Sequence, residues 1–135
     1  MDRPMELMRD AKTIAVVGVT TKKARPANEI AGYLIDAGFE VYLVNETEAG
    51  LEMHGRTIQP SVASLGVPID IVDIFRRPAD VPPHVEDAIE AGAKAVWMQV
   101  GIVNEEAAER ARAAGLDVVM DKCTMVEHRR LRSAA

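Results

Sequence analysis

Apolar runs of five to seven residues recur along the chain, and between them lie stretches in which apolar positions return every three or four residues. The runs are Thr13–Val17 ending at Gly18, Phe39–Val44, Ile69–Phe75, Ala95–Val100 and Leu116–Met120. Short, β-branched and closed by a glycine or a polar residue, they predict strands buried on both faces. Ile69–Asp73 alternates apolar and acidic residues before turning wholly apolar, which predicts a strand with one less buried side. The intervening periodicity predicts helices from Pro26 to Ile35, stopped at Gly38, from Val81 to Ala91, closed by Gly92, and from Glu105 to Ala114, ended by Gly115. Pro26 suits a first helical turn, where its missing N–H costs nothing. Asn104 can cap the last of these helices, with Glu105 and Glu106 at its start and Arg110 and Arg112 toward its end, as the helix dipole favours. Asp2 can likewise cap a short helix to about Asp10, with Met5 and Met8 on one face, covering an edge or face of the sheet. Ser61–Gly66 suffices for a short helix. Residues 46–60 are polar and broken by Gly50 and Gly55, a long connection with a brief extended piece at Arg56–Ile58, and residues 121–135 read as a tail.

Strands alternating with helices at this spacing imply right-handed crossovers and a doubly wound parallel α/β sheet with helices on both faces. The expected order is 3-2-1-4-5, counting the five strands along the chain, with the first strand central. Ligands of such sheets sit beyond the carboxyl ends of the strands, where the winding reverses. Those ends carry Gly18 with Thr20, Thr21, Lys22, Lys23 and Arg25, then Asn45, then Phe75, Arg76 and Arg77, then Trp97, Gln99 and Gly101.

With 135 residues, 48% hydrophobic and 27% charged, the chain has room for one domain, 1–135, with its own core. Its net charge of -5 argues against nucleic acid and anionic membrane as partners. No apolar run approaches the roughly 20 residues that span a bilayer, and Met1–Glu6 lacks the apolar segment of a signal peptide, so a cytoplasmic location is expected. The single cysteine, Cys123, has no internal disulfide partner, in keeping with a reducing compartment.

The first strand, its loop and the helix from Pro26 form a candidate phosphate cradle. A helix N-terminus presents unpaired N–H groups and partial positive charge, the backbone of Val19 and the hydroxyls of Thr20 and Thr21 add donors, and Lys22, Lys23 and Arg25 add charge. Of the glycine fingerprint for dinucleotides only Gly18 is present, with Thr20 where the second glycine belongs, so a plain connection with a solvated basic loop stays open as an alternative. Arg76, directly after a buried strand, is suited to two-pronged phosphate contact. Asn45 stands where a nicotinamide dinucleotide site would place an acid. Trp97 and Gln99, two apart, share a face and are candidates to line a channel, with Trp97 as core filler the alternative. Cys123 and His128 are too few for a zinc site, and His54 and His84 lie in unrelated loops. No acid/base pair or activated nucleophile stands at the strand ends.

Gly18 with Arg25-Pro26, Val44-Asn45, Asp73-Ile74-Phe75-Arg76-Arg77-Pro78, Trp97-Met98-Gln99-Val100-Gly101 and Met120-Asp121-Lys122-Cys123 together resemble the small single-domain CoA-binding proteins, which are similar to the CoA-binding domain of the succinyl-CoA synthetase alpha subunit. The resemblance spans roughly 11–131 and implies a Rossmann-like fold that binds coenzyme A or an acyl-CoA as a carrier, sensor or partner subunit, with a protein partner conceivable. It implies no settled reaction. Cys123, just past the fifth strand, would then offer a thiol beside that of the coenzyme. The chain departs from the family pattern at Val19-Thr20, where Ala-Ser is common, and at Glu46, where Pro commonly follows the Asn; Glu46 and Glu48 add negative charge near a site meant for phosphates. Rival readings are an NAD(P)-binding oxidoreductase-type domain and a regulatory interaction module without a small ligand.

Overall fold

β1 (Thr13–Val17) shows how the sheet is built: Ile14 and Val16 point to one face, Ala15 and Val17 to the other, and all four are fully buried. The computed structural model describes residues 1–22 and 24–134. β1 pairs in parallel with β2 (Glu40–Val44) on one side and with β5 (Ile71–Ile74) on the other. β6 (Ala95–Met98) and β7 (Asp117–Val119) extend the sheet to the order β2-β1-β5-β6-β7. Helices α1 (Arg3–Asp10), α2 (Pro26–Asp36) and α5 (Thr124–Ala134) cover the face of Ile14 and Val16, with Met8, Leu34 and Trp97 in the core between. The opposite face carries α3 (Val81–Glu90) and α4 (Glu105–Ala113), packed through Val85, Ala88 and Ala111 onto Val72 and Val96.

The doubly wound α/β class is as expected; the strand order is not. Counted along the chain, the five strands run 2-1-3-4-5, not 3-2-1-4-5, and the third strand, β5, is central. The cause lies in residues 46–60. They form a two-stranded ribbon, β3 (Glu52–Met53) and β4 (Arg56–Thr57), turned by His54 and Gly55, both at positive φ. Gln59 then pairs with the outer edge of β2, its N–H donating to the carbonyl of Leu43 (2.8 Å) while its own carbonyl accepts from Asn45 N–H (3.0 Å). The edge on which a third strand would have been added is thereby occupied, and the chain crosses to the far side of β1. Being central, β5 has no exposed side: Asp73, expected on a less buried face, is fully buried.

Two further elements depart from expectation. The tail forms α5, which packs against α1, and Ser61–Gly66 makes only a single 3-10 turn at Ala63–Leu65.

Candidate functional site at the carboxyl edge of the sheet

With the order 2-1-3-4-5 the winding reverses between β1 and β5, so the predicted crevice lies between the Gly18 loop and the Phe75–Arg77 turn. A cleft of about 730 Å³ opens there. Gly18, Thr20, Arg25, Pro26, Asn45, Phe75, Arg76 and Gln99 all line it, together with Glu48, Ile102 and Cys123. Five segments far apart in sequence thus meet on one rim. Val19, Trp97 and Gly101 do not line it, and Lys23 lies outside the described residues.

The floor is tightly drawn. Gly18 has φ of +104°, and a β-carbon there would lie 2.3 Å from the carbonyl oxygen of Phe75, so glycine lets the ends of β1 and β5 close on each other. Its N–H donates to Val44 O (2.9 Å), and Phe75 N–H donates to Val17 O (2.9 Å). The loop that follows is held by Asn28, on the first turn of α2, whose side chain accepts from Thr20 N–H (3.0 Å) and donates to Thr20 O (2.5 Å). Among the described residues no side chain caps α2, which begins at Pro26 after Arg25.

Asn45 is buried, and its amide is spent on the protein: Nδ2 donates to Val19 O (2.7 Å), and Oδ1 accepts from the N–H and hydroxyl of Thr47 (3.0 and 2.9 Å). It ties the end of β2 to the first loop. Val19 contributes that carbonyl, while its side chain is in the core.

The hydroxyls of the first loop are engaged as well. Glu48, only 5% exposed, accepts from Thr20 Oγ1 (2.5 Å), Thr21 N–H (2.8 Å) and Thr21 Oγ1 (2.7 Å). The Thr20 hydroxyl above all, with the Thr21 amide and hydroxyl, holds the Glu48 carboxyl down to about 2.

On the opposite wall Gln99 donates through Nε2 to Asp73 Oδ1 (2.5 Å) and Thr124 Oγ1 (3.0 Å), and the Thr124 hydroxyl donates to Asp73 Oδ2 (2.9 Å). Burial raises the Asp73 carboxyl to about 7 against the pull of these two bonds. With its NH2 group committed to Asp73, the Gln99 amide has its orientation set by chemistry. Trp97 shares a face with Gln99 as expected, but it is fully buried and its indole N–H donates to Lys122 O (2.8 Å). It is a core residue beneath α5, away from the cleft. Gly101 N–H donates to Asp121 Oδ1 (2.7 Å), which shapes the turn after β6; Val100, 68% exposed, and Ile102 form the apolar lip.

The cations differ in their surroundings. Arg77 is exposed and paired with Asp80 (3.1 Å). Arg76 lines the cleft with its Nε buried, and that Nε has no hydrogen-bond partner among the described residues. His84 nearby is depressed by burial and then by the Arg76 charge. Sequence reasoning did not find Asn28, Asp73 or Thr124 as parts of the site.

A sequence model of the family described as CoA binding domain matches residues 12–129. The chain belongs to that family. The chain is 37% identical over 123 residues to the uncharacterized protein YneT of Bacillus subtilis (strain 168), covering 91% of this chain and 90% of that one. Among solved structures it is similar to a hypothetical protein from Pyrococcus horikoshii OT3, with 40% identity, a TM-score of 0.88, and coverage of 96% of this chain and 89% of that one. A dinucleotide-forming acetyl-coenzyme A synthetase of Ca. Korarchaeum cryptofilum shares the fold of this chain (TM-score 0.68, 24% identity) over 79% of this chain and 25% of its own length.

Proposed function

We propose that the cleft binds coenzyme A or an acyl-CoA, with the phosphates on the Arg76 and Arg25 side and the pantetheine arm running along Gln99 toward the lip at Val100 and Ile102. The observation that carries this reading is the Arg76 guanidinium. A buried N–H without a partner among the described residues costs roughly 1–3 kcal/mol, more for a charged group, so the Arg76 side chain gains by turning its guanidinium to meet an anion in the cleft that it lines. The residues fit the coenzyme elsewhere too: an uncapped helix start beside Arg25, an apolar lip, and a fixed amide at Gln99. Its role is binding as a carrier, sensor or partner subunit, because Asn45 and Gln99 are held by internal hydrogen bonds in the manner of a scaffold for a ligand.

Thermal melting with CoA, dephospho-CoA, an acyl-CoA and NAD tests the reading, since a ligand of the native state raises the melting temperature in proportion to RT ln(1 + [L]/Kd). CoA and acyl-CoA should raise it and NAD should not; a rise with NAD alone, or with none of them, rejects the assignment. Arg76→Ala should weaken CoA by about tenfold, and dephospho-CoA by less, if this side chain holds the 3'-phosphate. Equal losses would move Arg76 to the diphosphate.

A further inference from the structure

The donors that the first loop would offer to a diphosphate are already taken by an anion of the protein itself. Thr20 Oγ1, Thr21 N–H and Thr21 Oγ1 converge on the Glu48 carboxylate at 2.5–2.8 Å, and Glu48 stands in the cleft wall with Arg25 and Arg76. Two hydroxyls and a backbone amide closing on an oxygen pair are the donor set that serves a phosphate equally well. The carboxylate is supplied by a 3-10 turn, Glu46–Glu48, that lies outside the sheet and ends at Ala49 before Gly50. Gly50 has φ of +95° with open space around its α-carbon. A ligand phosphate arriving between the loop and Arg76 therefore meets a second negative charge in the position it needs.

We infer that Glu48 is an internal stand-in for the ligand's phosphate, holding the anion cradle of the first loop until a diphosphate displaces it. The inference rests on the coenzyme reading of the same cleft and adds a residue that sets affinity from within. In the displaced state Thr20 and Thr21 donate to the diphosphate while Arg25 neutralises it, and the Glu48 side chain turns to solvent. Glu48 then acts against every ligand that brings a phosphate to the loop, and not against one that lacks it. Its firm ionisation agrees with this, since a carboxylate held down to about 2 stays charged at any physiological pH.

The test compares the wild type with Glu48→Gln, which keeps the shape and one carbonyl acceptor but removes the charge, by calorimetric titration with CoA, inorganic diphosphate and pantetheine. The variant is expected to bind CoA and diphosphate about tenfold more tightly and pantetheine unchanged. Unchanged or weaker binding of both phosphate ligands by a variant that melts like the wild type would overturn the inference, as would failure of diphosphate to bind either protein. Should CoA bind neither while diphosphate still prefers the variant, the coenzyme reading falls and the cradle assignment stands. A second readout needs no variant. On titrating the wild type with diphosphate, the Thr21 amide resonance in a ¹H–¹⁵N spectrum should move as one acceptor replaces another, and a resonance unmoved at saturation would overturn the inference.

Discussion

Gly18 stands where neither backbone nor space admits a side chain. Its φ of +104° is strained for any L-residue, and a β-carbon would meet the Phe75 carbonyl at 2.3 Å. Gly18→Ala should therefore lower the unfolding free energy by roughly 2–4 kcal/mol, strain and overlap together, measured by urea denaturation; a loss below 1 kcal/mol would mean that the ends of β1 and β5 can separate freely. Asp73 makes the second prediction at this scale. Burial raises its carboxyl from the ordinary 3.8 to about 7, so between these values the folded chain holds a proton that the unfolded chain has released. The stabilisation from this group is complete below about pH 4 and lost as pH rises through 7. Relative to Asp73→Asn, which is neutral throughout, the wild type should lose stability from pH 5 to pH 8. A constant difference between the two across that range would show that Asp73 is already ionised.

At the scale of elements, what hydropathy could reveal was decided by which side chains do the burying. The five strands and helices α2 to α4 bury Val, Ile, Leu and Ala, and their patterns were readable. α5 turns Thr124, Glu127 and His128 inward: Thr124 joins Asp73 and Gln99, Glu127 pairs with Arg130, and His128 Nδ1 meets Tyr33 Oη at 2.7 Å beside Phe39. A helix whose buried positions are polar, with Met125 and Leu131 only partly buried beside them, shows no continuous apolar stripe, so it passes for a tail. Of the β3–β4 ribbon only the extended piece at Arg56–Ile58 was legible, and the strand order was not, since Gln59 decides that order by a backbone pairing to which side-chain type contributes nothing. α5 also shields Trp97, the single tryptophan. A chain ending at Cys123 should lose at least the roughly 3–5 kcal/mol associated with uncovering a large aromatic, and its tryptophan emission should shift to the red. An emission maximum unchanged from the full chain would show that α1 and α2 cover the indole without α5.

Across the whole molecule the cleft was legible because a doubly wound sheet delivers its strand ends to one rim, and this holds for either strand order. Illegible were the bonds that span it, such as Thr20 to Glu48 and Gln99 to Asp73, since pairing over distances of more than 20 residues leaves no local period. The same scale sets the electrostatics of binding. A net charge of -5 repels an anionic ligand at long range, while Arg25 and Arg76 attract it within the cleft. At about 0.15 M salt the screening length is about 8 Å, shorter than the molecule but longer than a guanidinium–phosphate contact, so the diffuse repulsion is screened first and the contacts persist. Raising KCl from about 0.05 to 0.5 M shortens that length from about 14 to 4 Å, and only then do the contacts weaken. CoA affinity should accordingly change little up to about 0.15 M and fall several-fold by 0.5 M, with a shallower fall for dephospho-CoA, which carries one phosphate fewer. Calorimetric titration at four salt concentrations would measure both curves. Identical slopes for the two ligands would mean that the 3'-phosphate stays in solvent, away from the arginines, and an affinity rising throughout the range would mean that the net negative charge outweighs them.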